Sequence, residues 1–151
     1  EVIGLGLLVR IGAVRRLLIQ WRTGDNTRPG DRMNEIARMY DDAFHGYENL
    51  MTPPKAPQGC RHAYHLYPVC FTGVERKKIF MDLREKGLFC QVHYIPVHLQ
   101  PYYREKFGYR EGDFPVAENF YQSEISLPMF PGMSNADVKR VIVGVQENAK
   151  I

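Results

Sequence analysis

From Asn34 onward the spacing of apolar residues switches repeatedly between helical and strand periods, across short connections marked by proline and glycine. Ile36, Tyr40, Phe44 and Tyr47 recur at helical spacing and predict an amphipathic helix over residues 34–50, stopped by Thr52-Pro53-Pro54. Aromatic and branched residues from Tyr64 to Phe71 predict a strand. Thr72-Gly73-Val74-Glu75 has capping-box spacing; the helix after it is expected to bury Ile79, Phe80 and Leu83, and Gly87 stands where a left-handed residue closes a helix. Leu88 to Tyr94 predicts a second strand, Pro101 to Phe107 a short helix and Gly108 to Pro115 a turn-rich loop. Ala117 to Gln122 reads as helix and Glu124 to Leu127 as a third short strand. Ser134-Asn135-Ala136-Asp137 is another capping box, opening a last helix with Val138, Val141, Ile142 and Val145 on one face. This alternation predicts an α/β (α+β) fold with helices packed on a three- to four-stranded mixed or antiparallel sheet.

A chain of 151 residues is one domain, or one domain plus an appendage, and is long enough to bury a real core. Residues 1–33 differ from the rest. They hold six Arg and no Lys, and they supply the whole net charge of +3, whereas residues 34–151 contain seven of each and are neutral. The organisation expected is therefore an atypical N-terminal segment, 1–33, ahead of a domain over 34–151. A basic tail can bind nucleic acid, but no nucleic-acid or membrane partner is expected. The apolar run Val2 to Val9 is only eight residues, against about 20 for a membrane span, and Glu1 precedes it where a secretory signal carries positive charge. Cys60, Cys70 and Cys90 are odd in number and far apart, which implies no disulfide framework and suits a reducing cytoplasm.

Three blocks carry the chemistry. The first, Gln91 to Tyr103, packs two His, three Tyr and two Pro into thirteen residues after a strand-like run. The second is Gly112-Asp113-Phe114-Pro115-Val116-Ala117-Glu118, a tight turn into a helix; Asp113 is placed to cap it, Pro115 suits its first turn, and Glu118 complements its dipole. The third is Ser126-Leu127-Pro128-Met129-Phe130-Pro131-Gly132, a strand leaving the core through prolines. Taken alone, His93 and His98 read as hydrogen-bonded structural histidines. Zinc on Cys90, His93 and His98 is disfavoured, because the spacing straddles a strand end and a proline and no fourth ligand is signalled. There is no Ser-His-Asp order, Walker loop or dinucleotide glycine pattern.

In order and spacing these blocks resemble the C-terminal domain of the pyridoxal-phosphate (PLP) nucleotide-sugar aminotransferases of the DegT/DnrJ/StrS type. They are most similar to the branch that aminates a UDP-linked 4-keto-6-deoxy sugar on the way to pseudaminic acid. The resemblance covers about residues 34–151. It implies the small domain of a fold-type I PLP transferase, with glutamate as amino donor, a UDP-sugar as acceptor and a homodimeric parent. In that family a His-Tyr-x-Pro segment sits where the small domain closes over the active site, which makes His93, Tyr94, Ile95 and Pro96, with His98 next, the expected substrate-binding residues. A rigid strand end bearing an imidazole and a phenol suits the hydroxyl and phosphate oxygens of such a ligand.

The Schiff-base Lys, the Asp on the pyridinium nitrogen and the phosphate cradle lie in the large N-terminal domain of the family. None of Lys55, Lys77, Lys78, Lys86, Lys106, Lys139 and Lys150 stands in the Schiff-base motif. The chain is therefore expected to be a fragment with no catalytic residue, binding no PLP and inactive alone. The alternative is a small-domain binding or interaction module that has lost catalysis. The family joins its two domains through a long helix entered by a Tyr-Arg-Met-Thr-like motif. Residues 1–33 lack that motif and read as an out-of-frame or remodelled counterpart of the helix.

Overall fold

The computed structural model describes residues 29–60 and 62–149. The reading of 1–33 as an atypical segment falls for the most part outside the described residues. The elements are α1 (Pro29–Phe44), β1 (Leu50–Met51), β2 (Tyr67–Phe71), α2 (Arg76–Glu85), a single 3-10 turn (Val97–Leu99), α3 (Pro101–Phe107), α4 (Pro115–Ser123), β3 (Glu124–Leu127) and α5 (Asn135–Ala149). The strands form a three-stranded antiparallel sheet in the order β1-β2-β3. With the five helices of the described residues this is the expected α/β small-domain architecture.

The register makes the sheet two-faced. Tyr67 pairs with Leu127, Pro68 with Ser126, Val69 with Ile125 and Cys70 with Glu124. Side chains alternate along a strand, so Tyr67, Val69, Ile125 and Leu127 share one face, and Pro68, Cys70, Glu124 and Ser126 the other. The apolar face is buried under the helices, in one cluster with Ile36 and Tyr40 of α1, Ile79 and Leu83 of α2, and Val138, Val141 and Val145 of α5. Full burial of each such side chain contributes about 1.5–3 kcal/mol. The rings of Tyr40 and Tyr67 pack with centroids 5.0 Å apart. Their hydroxyls are satisfied at the margin of the core: Tyr40 donates to the Pro128 carbonyl at 2.7 Å and Tyr67 to Asp41 Oδ1 at 2.6 Å. Burial raises both phenols well above their ordinary range.

Local signals explain where the elements begin and end. Gly87, at φ +74°, closes α2. The Gly87 N–H donates to the Arg84 carbonyl at 3.0 Å and the Leu88 N–H to the Leu83 carbonyl at 2.9 Å, the bonding pattern of a Schellman close. Ser134 accepts the Asp137 N–H at 3.2 Å and donates to its carboxylate at 2.6 Å, which starts α5 as predicted.

Four expectations are corrected. The first helix runs from Pro29 to Phe44 rather than over 34–50; Gly46, at φ +86°, turns the chain, and Leu50 pairs with Phe71 in the edge strand. The capping box at Thr72 does not form. The Thr72 N–H extends the sheet pairing by donating to the Asn49 carbonyl at 2.9 Å, and Glu75 is the N-cap with no side-chain bond. Leu88 to Tyr94 is not a strand. It touches the sheet at one bridge, Gln91 to Ser126, after which a side chain takes over the backbone donor of His93. Asp113 does not cap α4, because its carboxylate accepts the Arg110 N–H at 2.8 Å and closes the preceding loop, leaving Phe114 as the N-cap.

Candidate functional site

The candidate loop is tied to the polar side of the sheet through His93. Glu124, fully buried, is its anchor. One carboxylate oxygen accepts the His93 N–H at 2.9 Å and the other accepts the Ser126 hydroxyl. Beside it, burial raises the Cys70 thiol and pushes the Cys90 thiol up to about 12, with the Glu124 charge adding to both. These thiols are buried fillers rather than nucleophiles.

Above this floor the expected binding residues separate into two groups. His93 is half-buried, and its Nδ1 is enclosed with no hydrogen-bond partner among the described residues. Tyr94 lies edge-on to the His93 ring with centroids 4.6 Å apart, and at 66% exposure it is open to a ligand, as is Ile95 at 49%. Pro96 and His98 turn inward. They line a cavity of ≈ 510 Å³ together with Val97, Tyr103, Phe107, Tyr109, Phe114 and Ala117. The structure thus leaves Tyr94 and Ile95 exposed next to the half-buried His93 and puts Pro96 and His98 into the wall of an aromatic cavity.

Glu118 holds that wall together. Its Oε1 meets His98 Nε2 at 2.7 Å and accepts the Phe114 N–H at 3.1 Å, while Oε2 accepts the Gly112 N–H at 2.8 Å. The Gly112 N–H does most to keep the Glu118 carboxyl below the usual carboxylate range, with His98 and Phe114 adding to it against the effect of desolvation. The spacing of Glu118 shows that it belongs to the first turn of α4. Its partnership with His98, and the role of Glu124, carry no local sequence signal, since both join segments 20 or more residues apart.

No three His, Cys, Asp or Glu converge on a metal position among the described residues, and no described helix is long and apolar enough to cross a membrane. The described lysines, Lys55, Lys77, Lys78, Lys86, Lys106 and Lys139, are all exposed. Lys86 pairs with Asp82 at 2.6 Å and Glu147 at 2.9 Å, and Lys106 donates to the Tyr102 hydroxyl at 2.8 Å.

A small antiparallel sheet covered by helices, with the His-Tyr-x-Pro segment bridged to β3 through Gln91 and Ser126, is the small-domain architecture of aminotransferases. The profile of the DegT/DnrJ/EryC1/StrS aminotransferase family matches residues 27–146, and the chain belongs to that PLP-dependent family. An uncharacterized protein of Methanocaldococcus jannaschii is 41% identical over 120 residues, covering 77% of this chain and 31% of that protein. Spore coat polysaccharide biosynthesis protein SpsC of Bacillus subtilis is 42% identical over 124 residues, 79% of this chain and 32% of that one. The chain therefore spans about a third of the length of the curated relatives it matches. Among solved structures, S. venezuelae DesV in complex with a ketimine intermediate matches with a TM-score of 0.74 at 30% identity, over 82% of this chain and 32% of that one. Helicobacter pylori PseC, an aminotransferase involved in the biosynthesis of pseudoaminic acid, matches with a TM-score of 0.72 at 25% identity, over 81% and 33%.

Proposed function

We propose that this chain supplies the small domain, over residues 34–151, of a PLP-dependent nucleotide-sugar transaminase. The parent enzyme moves an amino group from glutamate to C4 of a UDP-linked 4-keto-6-deoxy sugar, in the manner of the pseudaminic acid branch, as a cytoplasmic homodimer. Residues 1–33 remain, in this reading, an atypical segment that stands where the family carries its inter-domain helix. The observation that carries the reading is family membership combined with the anchored loop: Glu124 fixes the His93 amide and leaves Tyr94 and Ile95 open to a ligand.

Within this reading His93, Tyr94, Ile95, Pro96 and His98 bind the sugar nucleotide and take no part in proton transfer. Alone, the chain is read as a fragment without turnover; the alternative is a small-domain binding or interaction module that has lost catalysis. Titrating the isotope-labelled chain with UDP-N-acetylglucosamine tests the binding step. Saturable shifts at Tyr94 and Ile95, weakened about tenfold by Tyr94→Ala, are expected; tenfold is the worth of roughly one good contact. Resonances that stay put throughout the titration would reject the site assignment. Turnover of a keto-sugar by the isolated chain with PLP would reject the non-catalytic reading.

A further inference from the structure

The aromatic cavity beside His98 has its own chemistry. Among the described residues no lysine or arginine lines it, and its walls are the rings of Tyr103, Phe107, Tyr109 and Phe114 with Pro96, Val97 and Ala117. The rings form a continuous arc: His98 to Phe114 is 4.7 Å between centroids, Phe114 to Tyr109 5.6 Å, Tyr109 to Phe107 6.0 Å and Phe107 to Tyr103 6.0 Å. Its volume, ≈ 510 Å³, is in the range of small-ligand sites. Nothing among the described lining residues offers a phosphate a cation.

Besides the hydroxyls of Tyr103 and Tyr109, the polar feature of the wall is His98, whose proton is placed by Glu118. An ionised carboxylate can only accept hydrogen bonds, so at 2.7 Å the proton between the two groups sits on His98 Nε2. In its neutral form the imidazole then carries no proton on Nδ1, and among the described residues nothing donates to that atom. Glu118 cannot swing away to release the ring, because the Gly112 and Phe114 amides hold both its oxygens.

The geometry points to a specific ligand class: the cavity receives an uncharged ring bearing an N–H or O–H donor, with the aromatic arc stacking on the ring and His98 Nδ1 accepting the donor. Glu118 is the positioning residue that fixes the acceptor. This inference rests on the function proposed above for its choice of rings, because a UDP-linked deoxy sugar offers two, the pyrimidine base and the sugar. Stacking on aromatic faces favours the flat base.

The test follows Tyr109, Phe114 and Ala117 resonances of the full chain at pH 8 while uridine, methyl α-L-fucopyranoside or inorganic phosphate is added. Saturable shifts with uridine and none with phosphate are expected, and a response to the fucoside alone would assign the cavity to the sugar while keeping the ligand class. His98→Phe, which keeps a ring and removes the acceptor, should weaken binding about fivefold to tenfold, the worth of one hydrogen bond. Imidazole nitrogen spectra supply a readout that packing alone would not move: a protonated Nε2 and bare Nδ1 in the native chain, and loss of that fixed tautomer in Glu118→Gln. The inference is overturned by silence toward both rings, by equal binding to His98→Phe, or by a proton on Nδ1. Shifts at Tyr94 and Ile95 with UDP-N-acetylglucosamine but silence in the cavity would remove this inference and leave the proposed function standing.

Discussion

Glu124 accepts the His93 amide hydrogen at 2.9 Å across 31 residues of sequence, and this bond ties the candidate binding loop to the floor of the sheet. Replacing Glu124 with Leu would leave the His93 N–H and the Ser126 hydroxyl facing an apolar group. An enclosed donor without an acceptor costs about 1–3 kcal/mol, so Glu124→Leu should lower stability by about 2 kcal/mol in urea unfolding. The resonances of Tyr94 and Ile95 should broaden or move as the loop loses its anchor. Unchanged loop resonances would show that the loop is held by something other than this carboxylate.

The three thiols should differ sharply in reactivity. Cys60 is exposed, Cys70 and Cys90 are buried, and none is in a disulfide. Only the thiolate attacks Ellman's reagent, and burial together with the Glu124 charge pushes Cys90 up to about 12. At pH 8 the native chain should therefore release about one equivalent quickly, with the other two appearing only on unfolding. Cys60→Ser should abolish the fast phase.

Acid stability should report on Glu118 and Asp82. The Glu118 carboxyl lies below its ordinary value, chiefly through the Gly112 N–H, and Asp82 through Lys86 and Asn148. A carboxyl whose folded pKa is depressed stabilises the fold above its unfolded value, near pH 4. That contribution disappears as pH falls through the folded value. The urea midpoint should thus drop from about pH 5 downward, and Glu118→Gln and Asp82→Asn should each make the decline shallower. Asp82 sits at the surface, so its share should fade in high salt while that of Glu118 persists.

How far these features could be read from sequence depends on the distance over which each is decided. The α3 bounds, the β3 bounds, the Gly87 close and the Ser134 cap follow from neighbours within a few residues, and all appear where expected. The strand expected over Leu88 to Tyr94 has the right residue types, but its His93 donor goes to a carboxylate instead of a neighbouring strand. The helix expected to reach residue 50 follows an aromatic period that continues through Tyr47, whereas Leu50 is claimed by Phe71 in the sheet. In the site, the His-Tyr-x-Pro block was legible as a block. Its division into an open side and a cavity wall was not, because Glu118 and Glu124 decide it from distant elements.

Gly144 of α5 packs against Leu83 of α2 and Leu88 just beyond its end. A Cβ there would come within 2.5 Å of Leu88 Cδ1 and 3.3 Å of Leu83 Cδ2. Helix propensity favours replacing a mid-helix glycine, by about 1 kcal/mol for alanine, so the sign of any substitution depends on whether Leu88 can move. A branched side chain adds volume that a rotamer change of one leucine does not absorb, and overpacking of this kind costs about 1–3 kcal/mol. Gly144→Val should therefore destabilise the chain by that amount in urea unfolding. The cost should shrink in a Leu88→Ala background, where the obstructing methyls are gone, and a double-mutant cycle measures the difference. Strict additivity of the two substitutions would show that Leu88 is not what Gly144 makes room for.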